Sequence, residues 1–260
     1  MLDYDESTLK EALGKCPLVR SVADIHPKRL TEPWAKERAV CRAYRLDIEI
    51  NGIMTSFYFG VKKSFPLSLP KIYLVQWDAF GILPHVETDG YICYTEEEGI
   101  VLNSDDIDGL AHESISMVVQ VVMDGISGKN HHDFIDEFGA YWDRLNKVKD
   151  ITSIASPGNQ VEKLHLYKAK GGTRYLADDN GSLRKFLRLP DHDIWTRHPA
   201  IYIPLKPGTI ITPPHPAKFW DISEIRKTIF DHLGPDQKSQ LLTLLAKPHP
   251  EEVILLGLPK

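Results

Sequence analysis

Alternating apolar and polar residues between positions 40 and 77 predict an antiparallel sheet in the first half of the chain. Apolar side chains occupy every second position of residues 44–50 and alternate with charged ones, as in a strand with one buried face. The dipeptide Asn51-Gly52 favours a tight hairpin turn, and a second alternation covers residues 53–61. A third apolar run covers residues 71–77. Consecutive strands joined by short turns predict a β-meander.

Apolar residues at helical spacing predict helices on both sides of this meander. A short helix is predicted at residues 1–16, and two longer ones at residues 115–126 and 134–145, the first of them ended by a glycine. Prolines divide residues 17–33, which are predicted to form a loop region. Residues 78–109 show no sustained period and are predicted to form a long surface loop.

The second half of the chain predicts another, smaller α+β domain. The domain bounds are residues 1–152 for the first domain, 153–160 for a linker and 161–260 for the second domain. The second domain has predicted strands at residues 161–169, 173–178, 200–206 and 252–258, and predicted helices at residues 221–233 and 237–246. Asn180-Gly181 is interpreted as a further hairpin turn.

Composition and charge narrow the classes of function. The chain has 260 residues, 42% of them hydrophobic, and a formal net charge of −5. Because it carries no run of lysine and arginine, nucleic acid and anionic membranes are not expected as partners. The first residues are acidic where a signal peptide would be basic and then apolar, and no apolar run reaches the roughly 18 residues that span a bilayer. A cytoplasmic location is therefore predicted.

The three cysteines do not form a disulfide or zinc pattern. Cys16, Cys41 and Cys93 are odd in number and far apart, so each is expected to be a free thiol. Cys16 and Cys41 fall on apolar faces, where a cysteine acts as a small hydrophobic residue. Cys93 follows a proline-containing segment and precedes an acidic loop, which makes it the candidate for chemistry. No metal ligand set or phosphate-binding loop is identified.

Two segments around Cys93 resemble ubiquitin-conjugating (UBC) enzymes. Residues 64–72, SFPLSLPKI, are similar to the family's proline-rich segment that leads into the third strand. Residues 83–94, LPHVETDGYICY, are similar to its active-site segment, which carries a proline, then a glycine, an isoleucine and the catalytic cysteine. Pro84, Gly90 and Cys93 match these positions. The order of helix, meander, active-site segment and helices also matches.

The resemblance implies a function for Cys93 and a place in the site for His85, and the acidic segment that follows supplies two further candidates. Cys93 would carry the C-terminus of a ubiquitin-like protein as a thioester and pass it to an amine. His85 stands where the family has an asparagine, so it would donate a hydrogen bond to the tetrahedral intermediate, lower the pKa of Cys93 or accept a proton. Asp105 and Asp106 are candidates for orienting the incoming amine. No cofactor is expected on this chain, because ATP would be used by the activating enzyme.

Departures from the family pattern resemble the bacterial branch of UBC-like proteins. Leu83 replaces the motif's histidine, and the tryptophan expected after the cysteine is replaced by an acidic segment. Such bacterial proteins are fused to, or encoded beside, ThiF-like activating enzymes in anti-phage operons of the CBASS kind. There the conjugated C-terminus belongs to a cGAS-like nucleotidyltransferase. By this comparison, residues 161–260 would lead into an adenylation domain, and the chain would be a fragment of a longer protein.

Two other functions remain open from the sequence. The first is a binding module that keeps the UBC fold without catalysis. The second is a cysteine hydrolase in which His85 activates Cys93, although hydrolase pairs usually draw the histidine from far along the chain.

Overall fold

A computed structural model describes residues 6–145, 151–156, 158–169, 172–188, 194–246 and 253–257. The chain forms two compact units, Met1–Glu137 and Phe138–Lys260. This division falls inside a helix and upstream of the predicted linker at residues 153–160. The predicted domain bounds therefore stay a prediction.

The first unit combines helices with one sheet. Its elements are α1 (Glu6–Lys15), β1 (Val19–Asp24), α2 (Pro33–Lys36), β2 (Arg42–Ile50), β3 (Ile53–Val61), β4 (Lys71–Leu74) and α3 (Ile107–Ser127), with 3-10 turns at Pro27–Thr31 and His131–Asp133. The helix α4 (Phe134–Asp143) contains the division between the units.

The sheet of the first unit is the predicted antiparallel meander, in the order β1-β2-β3-β4. The hairpin between β2 and β3 turns at Asn51 and Gly52, whose φ angles of 49° and 81° lie in the left-handed region that such turns require. Phe59 of β3 then pairs with Ile72 of β4. Strand β4 ends at Leu74, three residues before the predicted end.

Strand β1 corrects the predicted loop at residues 17–33. It pairs antiparallel with β2, with Val22 opposite Leu46. Only Val19 and Val22 of β1 are partly buried, and its other residues are exposed. Because an edge strand with two distant apolar positions shows no alternation, its sequence gave no strand signal.

The core of the first unit lies between one face of the sheet and the helices α1 and α3. Apolar side chains from these three sources fill it, among them Leu9, Leu13, Leu46, Phe57, Phe59, Ile72, Ile115, Val118 and Val122. A second cluster on the opposite face of the sheet contains Trp34, Tyr58 and Tyr73. Because successive strand residues point to opposite faces, Ile72 and Tyr73 enter different clusters.

The second unit is also α+β, and the predicted fold class is confirmed. Its elements are β5 (Thr152–Ser153), β6 (Glu162–Ala169), β7 (Arg174–Ala177), α5 (Asn180–Leu187), β8 (Ile194–Pro204), α6 (Ile222–His232), α7 (Pro235–Leu245) and β9 (Val253–Gly257). The sheet has the order β5-β7-β6-β8-β9, with parallel pairs at its two ends. The helices α6 and α7 connect the parallel strands β8 and β9.

The predicted hairpin at Asn180-Gly181 is wrong. These residues begin α5, and Asp179 caps the helix by accepting a hydrogen bond from the Ser182 backbone N–H at 2.9 Å. Aspartate before asparagine and glycine suits a turn and a helix N-cap alike, because both use the same short side chain to satisfy a backbone donor.

Candidate functional site

Cys93 lies on a short antiparallel hairpin within the segment predicted to be irregular. Val86 pairs with Ile92, and the Glu87 N–H donates to the Tyr91 carbonyl at 2.8 Å. The turn closes through Gly90, whose N–H donates to the Glu87 carbonyl at 2.8 Å. The prediction of a wholly irregular loop at residues 78–109 is therefore corrected here, since three paired residues are too few for a visible alternation.

The same segment is also bonded to β4. The Leu74 N–H donates to the Gly90 carbonyl at 2.7 Å, and the Ile92 N–H donates to the Ile72 carbonyl at 2.9 Å. Gly90 has a φ of 87°, and a Cβ atom there would lie 2.3 Å from the Leu74 carbonyl oxygen. The glycine of the resemblance is thus required both by its φ angle and by the close approach of β4.

Alternation along this segment presents the Cys93 thiol to solvent. Ile92 and Tyr94 on either side are buried, and the Tyr94 hydroxyl donates to the Pro70 carbonyl at 2.9 Å. Cys93 itself is exposed, whereas Cys16 is buried in the core. Cys41 is half-buried, and its thiol lies 3.4 Å from the Val61 carbonyl oxygen. Of the three thiols, Cys93 is therefore the accessible one.

His85 meets Cys93 through its backbone, and its ring is held by two carboxylates. The His85 carbonyl accepts a hydrogen bond from the Cys93 N–H at 2.8 Å. Its Nε2 lies 2.8 Å from an Asp133 carboxylate oxygen, and its Nδ1 lies 2.6 Å from a Glu137 carboxylate oxygen. Glu137 also accepts from the His85 backbone N–H at 3.0 Å.

This arrangement changes the role expected of His85. Hydrogen bonding to Glu137, followed by that to Asp133, raises the pKa of the imidazole to about 9, against the opposing effect of burial. The ring is therefore a cation at neutral pH with both nitrogens donating to carboxylates, an arrangement that disfavours accepting a proton, and the catalytic role of His85 stays a prediction. His85 has a φ of 63°, which is uncommon for a residue with a side chain, and the two carboxylates hold it there.

The surroundings of Cys93 raise the pKa of its thiol rather than lower it. Desolvation is the largest cause, and the Glu137 and Glu87 carboxylates add to it. The Lys71 ammonium opposes this rise, whereas Glu96 contributes to it. The expectation that His85 lowers the pKa of Cys93 is not supported, because the Glu137 carboxylate next to the ring raises it.

Lys71 at the start of β4 is a buried cation close to Cys93. Only 6% of Lys71 is exposed. Its ammonium forms an ion pair with Glu97 and lies 3.4 Å from the Tyr91 hydroxyl. Desolvation, followed by the charges of Lys62 and Arg38, lowers the pKa of Lys71 to about 8, against the opposing effect of Cys93.

Arg38 fixes the turn of the hairpin. Its guanidinium contacts Glu87 at 2.6 Å and Asp89 at 2.5 Å, and it lies 4.1 Å from the centre of the Tyr91 ring. A planar guanidinium that binds two carboxylates and stacks on an aromatic ring restrains all three groups at once. The hairpin is therefore restrained by the Arg38 side chain and by its backbone hydrogen bonds to β4.

The predicted amine-orienting acids lie on the loop before α3. Asp106 caps α3 by accepting from the Gly109 N–H at 2.7 Å, so its carboxylate has a structural task. The backbone N–H of the exposed Asp105 donates to the Asn103 side chain at 3.3 Å. Asp106 and Thr95 line a groove of about 350 Å³. A role in binding the amine stays a prediction for both acids.

Sequence reasoning missed the charged residues that surround the thiol. Asp133 and Glu137 are four residues apart, the spacing that places two side chains on one helical face. Their partner His85 lies 48 residues before Asp133 and 52 before Glu137, so this spacing alone did not reveal the contact. Lys71 is a charged residue in an otherwise apolar, buried strand. A charge at such a position is unusual, and it could have indicated a functional residue from the sequence.

Two kinds of feature are absent from the described part of the chain. No helix there has the length and apolar character that a membrane crossing requires, and no group of three or more His, Cys, Asp or Glu side chains there could hold a metal ion.

Comparisons with known proteins identify the family of the stretch that contains this hairpin. No curated protein and no solved structure matches the chain. The family model described as prokaryotic E2 family B matches residues 20–151, just over half of the chain. This stretch contains β2, β3, β4, the Cys93 hairpin and α3, and the chain belongs to prokaryotic E2 family B.

Proposed function

We propose that Cys93 accepts the C-terminal acyl group of a ubiquitin-like protein from an activating enzyme and transfers it to an amine. Membership of the E2 family implies in general a transferase with a thioester intermediate. The observation that carries the assignment to Cys93 is the exposure of this thiol on a hydrogen-bonded hairpin, beside the glycine and isoleucine of the family's active-site pattern.

The proposed reaction has two steps. In the first, the Cys93 sulfur attacks the carbonyl carbon of the donor thioester, the bond from that carbon to the donor sulfur breaks, and the departing thiolate takes up the Cys93 proton. In the second, an amine nitrogen attacks the same carbon, the bond to the Cys93 sulfur breaks, and a proton from the amine returns to that sulfur. No oxidant or reductant is needed, and ATP is used only by the activating enzyme.

A raised pKa of Cys93 suits this carrier role. A thiol that is mostly protonated at neutral pH reacts slowly with unrelated electrophiles, and it becomes a nucleophile when a donor is held against it. His85 serves as a positioning residue in this proposal, because its carbonyl fixes the Cys93 backbone while its ring is occupied by Asp133 and Glu137.

The partners follow from the resemblance to the bacterial branch. We propose a ThiF-type activating enzyme, joined to this chain or separate from it, as the donor. The acyl group would come from a ubiquitin-like protein or a cGAS-like nucleotidyltransferase, and the setting would be anti-phage defence. The cytoplasmic location is part of the same proposal.

Reconstitution tests the reaction. The chain is mixed with the activating enzyme, ATP and the candidate modifier, and an adduct removed by thiol reductants is expected. Cys93→Ser should give an adduct that resists reductants, because an ester replaces the thioester, and Cys93→Ala should give none. Cys41→Ser serves as the matched control and should behave as the unmodified chain. Undiminished adduct formation by Cys93→Ala would contradict the proposal.

The alternative functions have distinct outcomes in the same experiments. A non-catalytic binding module would bind the modifier without forming any adduct. A cysteine hydrolase would cleave a fluorogenic ester without ATP or a partner, but the geometry disfavours it because both ring nitrogens of His85 donate to carboxylates.

A further inference from the structure

The register of the sheet places Lys71 directly opposite Cys93. Tyr73 pairs antiparallel with Tyr91, so two residues further along Lys71 faces Cys93. The intervening Ile72–Ile92 pair carries a backbone hydrogen bond. The bonded pairing ends at Ile72 and Ile92, and its continuation by one residue places Lys71 and Cys93 opposite each other on one face, where the Cβ atoms of a regular sheet are about 4.5–5.5 Å apart.

Lys71 is an unusual residue for this position. Lys71 is only 6% exposed, and a buried ammonium is unfavourable unless an anion compensates it. Glu97 supplies that anion, but its side chain is 44% exposed and lies on the loop four residues after Cys93. The cation is thus fixed in the sheet, whereas its partner lies on a surface loop.

We propose that Lys71 is the cation that stabilises the thiolate of Cys93, and that Glu97 partly neutralises this cation in the resting protein. This inference rests on the proposed function and names a positioning residue for it. When a donor engages the loop and draws Glu97 away, the Lys71 charge acts on the Cys93 sulfur and favours loss of the thiol proton.

Other charged and titratable groups around Cys93 do not supply this cation. Glu87, Glu96 and Glu137 are anions that disfavour a thiolate. Tyr91 and Tyr94 also couple to Cys93, and both have raised pKa values, that of Tyr91 being about 12, so they stay neutral. His85 is cationic, but its charge is compensated by two carboxylates, and Arg38 is likewise bound to two.

The rate of Cys93 alkylation by iodoacetamide as a function of pH tests this inference without any partner protein. Mass spectrometry of the Cys93 peptide separates it from Cys16 and Cys41. Lys71→Met should shift the profile upward and slow alkylation at pH 7.5 about tenfold, because an opposite charge at this range changes a pKa by one unit or more. Lys71→Arg should restore most of the rate.

Glu97→Gln provides an independent arm, because this exposed side chain can change without loss of the fold. It should shift the profile downward and speed alkylation, since Lys71 then acts on Cys93 uncompensated. Glu98→Gln, an exposed acid next to it in sequence, is the matched control and should leave the profile in place. An unchanged profile in Lys71→Met with intact fold, or in Glu97→Gln, overturns the inference. Failure of the transferase proposal would instead appear as conjugation by Cys93→Ala.

Discussion

Two residues of the hairpin have positive φ angles and identifiable contacts. Gly90 turns the chain with a φ of 87° while the Leu74 carbonyl occupies the space that a Cβ atom would need. His85 also has a positive φ, but it carries a side chain, and Asp133 and Glu137 hold that side chain in place. Both residues flank Cys93 in the fold, so substitutions at them test how the thiol is positioned.

Gly90→Ala should lower the free energy of unfolding by about 3 kcal/mol or more, because it adds a clash with backbone to the strain of a positive φ. Gly81→Ala is the matched control. Its φ of 83° is similar, but nothing lies within 4 Å of its Cβ position, so only about 1 kcal/mol is expected. Urea denaturation measures both, and equal losses would show that the contact with Leu74 is unimportant.

The contacts of the protonated His85 ring with Asp133 and Glu137 should make the free energy of unfolding fall as pH rises. The pKa of His85 is about 9 in the fold against an ordinary value of 6.5. A raised pKa contributes stability that is fully present below pH 6.5 and is lost as the pH rises through about 9. The contribution is about 3 kcal/mol at pH 6, since one pKa unit corresponds to about 1.4 kcal/mol.

His85→Asn is the variant that reveals this dependence, because asparagine tolerates a positive φ and does not titrate. The difference in unfolding free energy between the unmodified chain and His85→Asn should shrink between pH 6 and pH 9.5 in urea denaturation. A difference that stays constant over this range would contradict the assignment of the charge to His85.

At the scale of elements, the sequence predicted what is periodic and missed what is short. The apolar stripe of α3 ends at Gly128, whose φ of 78° is that of a helix C-cap, as its spacing indicated. Strand β1 was not predicted because only Val19 and Val22 face inward. The Cys93 hairpin was not predicted because its paired segments are only three residues long. The hairpin turn predicted at Asn180-Gly181 was wrong because a helix cap and a hairpin turn favour the same residues.

The cap of α3 separates a structural role of Asp106 from a role in binding the amine. Asp106→Ala should lower the free energy of unfolding by about 1 kcal/mol, because the Gly109 N–H loses its acceptor. Asp106→Asn keeps a capping oxygen and should keep the stability in thermal denaturation. If Asp106→Asn then transfers the acyl group at the normal rate, its carboxylate has no part in orienting the amine.

At the scale of the whole molecule, the two units have separate hydrophobic cores. The first is built around α1, α3 and the meander, and the second around Ile203, Ile229 and Leu241. The periodic patterns of the sequence predicted both α+β regions, because the side chains of each core come from strands and helices with regularly spaced apolar residues. The ring contacts of His85 and the pairing of Lys71 with Glu97 join residues 26 to 52 positions apart, and no spacing rule reaches that far.

A substitution in the second core tests the independence of the two. Ile203→Ala removes a fully buried side chain and should cost about 3 kcal/mol. Hydrogen exchange followed by mass spectrometry should show lost protection in β6 and β8, while the meander and the Cys93 hairpin keep theirs. Equal loss of protection in both units would show that they unfold as one.

The strand that carries Cys93 is hydrogen-bonded along both of its edges, and this has a mechanical consequence. Its backbone is tied alternately to β4, through Gly90 and Ile92, and to the opposite arm of the hairpin, through Tyr91 and Cys93. In the proposed thioester, an entire protein would be attached to the Cys93 sulfur, and its motion would exert a force on this strand. Because hydrogen bonds on both edges of the strand would share that force, the Cys93 backbone would keep its place while the attached protein moves, and the thioester carbonyl would stay accessible to the amine.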